Sequence, residues 1–227
     1  MANIVMLHGL YMHGVVMKPL ASRLRKKGHT VQVITYNSLR INESLLFKRI
    51  HNCLSISQKN VVVGHSLGGI LGVHFVNSHQ DLNTPINAVV TIGSPLQGSS
   101  IAKELKNMKL GFILGSSKEQ GLVDVNQLTT DCPVGSIAGT LPIGIRSPII
   151  RDKQPSDGTV TVEETLLPEL SDHLCLKHSH TSLLYANETA NQVDYFIEHH
   201  KFNREDEKVR GHYRADNPSS ANEALRL

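Results

Sequence analysis

Short apolar runs rich in β-branched residues alternate along this chain with longer stretches of helical period. The runs predict strands over Asn3–Leu7, Thr30–Thr35, Asn60–Val63, Ile86–Ile92, Val134–Ala138 and His173–Lys177. Between them, apolar residues recurring every three or four positions predict helices over Val15–Lys27, Asn42–Ile56, Leu67–His79 and Glu188–His200, with a looser helical stretch inside Ser99–Leu128. Leu45, Leu46, Arg49, Ile50, Cys53 and Leu54 form the stripe of a helix laid on a sheet, as do Val193, Phe196 and Ile197 in the last helix. Strand alternating with helix throughout gives the fold class α/β: a sheet of about six mostly parallel strands, right-handed crossovers, and helices on both faces.

Such sheets bind ligands beyond the carboxyl ends of their strands, where the strand order reverses. With strand one between strands two and three, the loop His8-Gly9-Leu10 and the loop after strand three become neighbours at that reversal. The second loop carries chemistry. Val61-Val62-Val63-Gly64-His65-Ser66-Leu67-Gly68-Gly69 reads as a strand, then G-x-S-x-G, then a helix. A serine hydroxyl is a poor nucleophile until the backbone thrusts it out of a tight bend, and Gly64 and Gly68 are where strand and helix must approach closely. Ser66 is therefore the expected nucleophile.

A nucleophilic serine needs a base, an acid to orient the base, and donors for the oxyanion. The base belongs just past a strand end. His173 opens the last strand and falls at the wrong end of the sheet, and His178 still belongs to the strand. His180 lies in the following loop and is the preferred base, with His178 in reserve. Asp152, Asp157, Glu163 and Glu164 are the candidate acids. Asp157-Gly158 makes a turn ahead of Thr159–Val162 and is favoured, whereas Asp152 sits between Arg151 and Lys153 as in a surface ion pair. The expected oxyanion donors are the backbone N–H groups of Leu67, at a helix amino terminus, and of Leu10.

Composition narrows the partners. A chain of 227 residues suffices for one well-buried domain, expected over 1–202. The segment 105–130 reads either as a small cap or as apolar packing under the sheet. The charged, apolar-poor stretch 203–227 reads as a flexible tail. A net charge of +3, 4% aromatic residues and no Trp exclude a polyanion footprint and a base-stacking platform, so no nucleic acid is expected. The basic cluster Arg23, Arg25, Lys26 and Lys27 before Gly28 reads as a solvated helix end. Cys53, Cys132 and Cys175 are widely spaced and odd in number, which suggests reduced thiols. The start runs directly into a strand, and no apolar run reaches the ~18–20 residues of a membrane span. A cytoplasmic location without a transmembrane segment is expected. Thirteen histidines show neither H-E-x-x-H nor clustered Cys/His spacing, so neither metal nor cofactor is expected. His8, His13 and His65 read as packing or hydrogen-bonding residues, and His199-His200 as a solvated pair.

The segment around Ser66 resembles the nucleophile segment of α/β-hydrolase lipases and esterases, and His8-Gly9-Leu10 resembles their oxyanion loop. Gly93-Ser94-Pro95-Leu96-Gln97-Gly98-Ser99 is similar to their "G-[ST]-P-x-x-G-[ST]" loop after the fourth strand. Asp157-Gly158-Thr159-Val160 and His180-Thr181-Ser182-Leu183-Leu184-Tyr185 are similar to the acid and histidine segments of the small, lidless bacterial lipases. The resemblance covers residues 3–200, and the order Ser66, Asp157, His180 is that of the α/β-hydrolase class. It implies an α/β-hydrolase fold and an esterase or lipase in which Ser66 is acylated by a small-molecule acyl ester or lipid. Water activated by His180 then releases the acyl group. A segment from Met108 to Gln127 departs from the pattern by its extra length. Thioesterase, amidase or acyltransferase chemistry on the same triad, and a catalytically silent binding module, are the alternatives. Leu10, Tyr11, Leu96, Phe112 and the Leu141–Ile150 loop are the candidate walls of the acyl pocket, and contact with a lipid interface is compatible with them. Acyl-chain length and oligomeric state are not encoded in these motifs.

Overall fold

Successive residues of the central strands are apolar whichever way they point, and that double-sided burial sets the layers. A computed structural model describes residues 1–79, 81, 83–107, 132–150 and 154–204. Its strands are β1 (Ala2–Leu7), β2 (Thr30–Ile34), β3 (Lys59–His65), β4 (Ile86–Ile92), β5 (Val134–Gly139) and β6 (Asp172–Leu176). They form one sheet in the order β2-β1-β3-β4-β5-β6, with every adjacent pair parallel. The order reverses at β1, as expected.

Ile4, Met6, Val61, Val63, Val90 and Ile92 point to one face. There they pack with Leu20 and Leu24 of α1 (Lys18–Lys26) and Val193 and Phe196 of α6 (Asn187–His199). Val5, Leu7, Val62 and Val89 point to the other face, against Leu46 and Ile50 of α2 (Glu43–His51) and Ile70 and Leu71 of α3 (Leu67–Ser78). Each such side chain contributes about 1.5–3 kcal/mol by leaving water. α3 buries Leu67, Ile70, Leu71, Val73, Phe75 and Val76. A helix this apolar is a central one, and it stands directly behind the serine bend.

β2 is one edge of the sheet, where unpaired carbonyls invite pairing with another chain. Arg25 Nη2 covers the Val31 carbonyl at 2.6 Å and Arg49 Nη1 covers that of Thr35 at 2.9 Å. The basic helix end is less solvated than expected. Arg23 donates to Asn187 Oδ1, Lys27 pairs with Asp194 at 3.0 Å, and His29 Nε2 lies 2.8 Å from the same carboxylate, tying α1 to α6.

Several boundaries differ from expectation. α2 opens on Asn42, whose side chain accepts from Leu45 N at 3.0 Å, and it stops at His51 instead of Ile56. Cys53 and Leu54 pack on the core from the following turn, while Leu45 is 57% exposed, so the apolar stripe outlasts the helix. The first helix begins as a 3-10 turn over Gly14–Met17. Within the looser stretch α4 covers Ser100–Asn107. α5 (Arg146–Ile149) and the 3-10 turns Glu163–Thr165 and Ser182–Tyr185 are too short to leave a period in the sequence. The expected cap at 105–130 falls outside the described residues beyond Asn107, and the expected tail beyond Arg204. Asn203 N donates to Gln192 Oε1 at 2.8 Å, and Arg204 grips both oxygens of Asp172. No described helix is long and apolar enough to cross a membrane.

Candidate active site

Ser66 sits between β3 and α3 with φ 54° and ψ −124°, a conformation that side chains avoid. Its neighbours force it there. A Cβ on Gly64 would lie 2.3 Å from the Gly68 carbonyl oxygen, and one on Gly68 would lie 2.4 Å from that of Leu7. Helix and sheet can approach this closely only where both positions are glycine. The Ser66 amide donates to the Ile92 carbonyl at 2.9 Å, which anchors the bend to β4. Backbone strain of this kind costs about 1–3 kcal/mol, against about 0.5–1 kcal/mol for the extra freedom of a glycine. Ser66→Gly is therefore expected to raise the unfolding free energy by about 1 kcal/mol. Denaturant titration checks this, and a fall in stability contradicts it.

Two loops at the far side of the sheet bring Asp157 and His180 together. His180 Nδ1 lies 2.7 Å from Asp157 Oδ2, and Asp157 is 1% exposed. A carboxylate only accepts, so Nδ1 carries a proton, and in the neutral ring the lone pair is on Nε2. Asp157 Oδ1 accepts from the amides of Thr159 at 2.8 Å and Val160 at 2.7 Å, and the Asp157 carbonyl takes the His180 amide at 2.9 Å. Gly93 makes room for the pair: with φ 55°, a Cβ there would lie 3.0 Å from Asp157 Oδ2 and 3.1 Å from His180 Nδ1.

The competing candidates are placed elsewhere. β6 ends at Leu176, so His178 stands beyond the strand it was expected to belong to, 3.4 Å from Glu188 on α6. Glu164 receives the amides of Ser100 and Thr161 and faces Arg146 at 3.9 Å, a structural post between loops. Glu163 is exposed, and Asp152 lies outside the described residues.

The loop after β1 is braced from behind. His8 stacks on Tyr36 with ring centroids 4.2 Å apart; its Nε2 accepts the Tyr36 amide, so Nδ1 donates to the Gly9 carbonyl at 2.9 Å. A trans peptide points its N–H opposite to its C=O, so this bond fixes the direction of the Leu10 N–H. Tyr11 follows at φ 56°, held by its amide on Ser38 Oγ at 3.0 Å. The Leu67 amide opens α3, where first-turn N–H groups lack helical partners.

Ser66 and His180 line one cleft of about 370 Å³, together with Leu10, Tyr11, Met12, Ile143 and Ile145. Leu96 is fully buried in the core instead and does not line it, because its side chain turns to the α3 face of the sheet. Phe112 lies outside the described residues. Ile101, Ala102 and Leu105 of α4 and Val160 complete an apolar wall that the sequence reading did not single out. The i, i+1, i+4 spacing on α4 was its available signal.

The α/β-hydrolase-fold family model matches residues 21–112. A lipase of Bacillus licheniformis in its mature form is similar in structure, at 20% identity, covering 87% of this chain and 91% of that one, with a TM-score of 0.64. A metagenomic carboxyl esterase is similar at 15% identity, 87% and 75% coverage, and a TM-score of 0.63. This chain has the α/β-hydrolase fold. An extracellular α/β-hydrolase of a Paenibacillus species shares it at 15% identity, 87% and 98% coverage, and a TM-score of 0.55. No curated protein sequence matches the chain.

Buried imidazoles set the electrostatics of this α/β-hydrolase fold. Burial drives His65 down to about 3, and a charged His180 beside it acts the same way. Burial also takes His173 to about 4 and lowers His8. The unfolded chain takes up protons below 6.5 that the folded His65 and His173 refuse, so stability is full above that pH. It falls as pH drops toward the folded values, by about 1.4 kcal/mol per unit for each histidine. His173→Gln is expected to remove about one proton from the slope of unfolding free energy between pH 6.5 and 5. Denaturant titrations across that range check it, and an unchanged slope contradicts it. Among the described residues, no group of three or more His, Cys, Asp or Glu could hold a metal ion.

Proposed function

We propose that this chain is a serine hydrolase that cleaves a carboxylic ester through an acyl-enzyme on Ser66. The observation that carries the reading is the 2.7 Å contact of His180 Nδ1 with the buried Asp157 carboxylate, in the cleft that Ser66 also lines. Asp157 holds the imidazole proton on Nδ1, so Nε2 accepts the proton of Ser66 Oγ as that oxygen attacks the ester carbonyl. The N–H groups of Leu67 and Leu10 stabilise the oxyanion of the tetrahedral intermediate, each such donor being worth about 3–4 kcal/mol. Collapse expels the alcohol, which leaves with the proton from His180. Water then gives a proton to His180, its oxygen attacks the acyl carbonyl, and Ser66 regains its proton as the acid departs.

The apolar walls formed by Ile101, Leu105, Ile143 and Ile145 suit a hydrocarbon acyl or alkyl group. The similar lipase and carboxyl esterase support the choice of a carboxylic ester. Hydrolysis of p-nitrophenyl esters by the wild-type chain and by Ser66→Ala tests the reading. Unchanged hydrolysis in the variant rejects it.

A further inference from the structure

We infer that His65, inside the G-x-S-x-G bend, is a positioning residue that sets His180 against Ser66 through the His180 main chain. The inference rests on the proposed role of His180 as base. His65 is wholly buried, and its Nε2 lies 2.9 Å from the His180 carbonyl oxygen. A carbonyl can only accept, so the His65 proton is on Nε2 and the bond is a donation to His180. Nδ1 is then a bare lone pair. It has no hydrogen-bond partner, and the same is true of Thr189 Oγ1 alone among the other buried side-chain polar atoms described.

An unpaired buried acceptor costs about 1–3 kcal/mol; a phenylalanine or leucine at this position would remove the one on Nδ1 but leave the His180 carbonyl without its donor. What histidine supplies in return is the single bond to His180. That bond completes a set of three on the base. The His180 ring is held by the Asp157 carboxylate, its amide by the Asp157 carbonyl at 2.9 Å, and its carbonyl by His65. The first two fix His180 relative to the acid. Only the third fixes it relative to the bend, because His65 is bonded in the chain to Ser66 and lies 115 residues from its partner.

The two imidazoles also touch, with ring centroids 4.6 Å apart at 49°. The ionisable groups around this contact are Asp157 against His180, and His8 near His65. Burial keeps His65 neutral, so His180 gains its proton beside an uncharged ring.

Three substitutions separate positioning from packing. His65→Phe keeps a ring and removes the donor. His65→Gln places an amide N–H near the lost Nε2, and His65→Asn places one near Nδ1 instead. A displacement of about 1 Å in a catalytic group can cost about 100-fold. His65→Phe is therefore expected to lower kcat by about 10- to 100-fold with KM within about twofold, as a folded protein with a cooperative melting transition. His65→Gln restores kcat to within about fivefold of wild type, while His65→Asn does not.

A readout independent of turnover is the downfield proton resonance of the His180 Nδ1–H bond, assigned by its loss in Asp157→Ala. It is expected to shift in His65→Phe and to return in His65→Gln. A His65→Phe protein with wild-type kcat and an unmoved resonance overturns the inference. So does loss of activity in all three variants in step with Tm. If the wild type hydrolyses no ester, the proposed function fails, and the resonance still decides the role of His65.

Discussion

Ser66→Ala is expected to lower kcat for ester hydrolysis by about 10⁴- to 10⁶-fold, with a folded protein of unchanged Tm. The substitution removes one oxygen and nothing else that the bend requires. Cβ stays, so the strain at φ 54° stays, and the contacts of Gly64 and Gly68 do not involve the hydroxyl. What remains in the proposed mechanism is a cleft with two backbone donors, which would support about 10³- to 10⁴-fold catalysis over water without a nucleophile. His180→Ala is expected to cost a similar factor, and the double variant little more, because in the proposed mechanism the two residues act as one unit. Steady-state rates on a p-nitrophenyl ester check this. A loss of less than about tenfold in Ser66→Ala removes the acyl-enzyme from the account.

Asp157→Asn is expected to lower kcat by about 10⁴-fold while leaving the fold intact. An amide oxygen can still accept from Thr159 and Val160, so the turn keeps both its backbone bonds. The amide nitrogen then faces His180 Nδ1 in place of the carboxylate. A donor there requires a lone pair on Nδ1, which moves the imidazole proton to Nε2 and blocks the end that must accept from Ser66. The variant also loses the negative charge that, in the proposed mechanism, steadies the imidazolium in the transition state. Rates and melting curves measured together check the outcome. Activity within about tenfold of wild type, with Tm unchanged, contradicts a role for Asp157 in holding the tautomer.

How far the sequence could be read depended on the range of the cause. The central strands were legible because burial on both faces leaves continuous apolar runs such as Val61–Val63, and β1 and β3 pack both ways. The bend was legible because its clash is local: Gly64 meets Gly68 four residues on. Asp157 and His180 could be named from their loops, but their contact spans 23 residues and no local pattern encodes it. Glu164 looked like a competing acid because two of its partners, the Ser100 amide and Arg146, are 64 and 18 positions away. Leu96 looked like a pocket residue because the run after β4 does not say which side of the sheet it faces. The end of α2 was misplaced because Cys53 and Leu54 continue the apolar stripe after the hydrogen bonding has stopped. His65 read as a packing or hydrogen-bonding residue, and its partner could not be named because the bond crosses more than half of the chain.

Labelling with a fluorophosphonate probe, followed by mass spectrometry of the digested protein, tests the central claim most directly. The account predicts one adduct per chain, carried by Ser66 Oγ. The adduct should be absent in Ser66→Ala and formed much more slowly in Asp157→Asn. An adduct on another residue, or none on the folded wild-type protein, contradicts it.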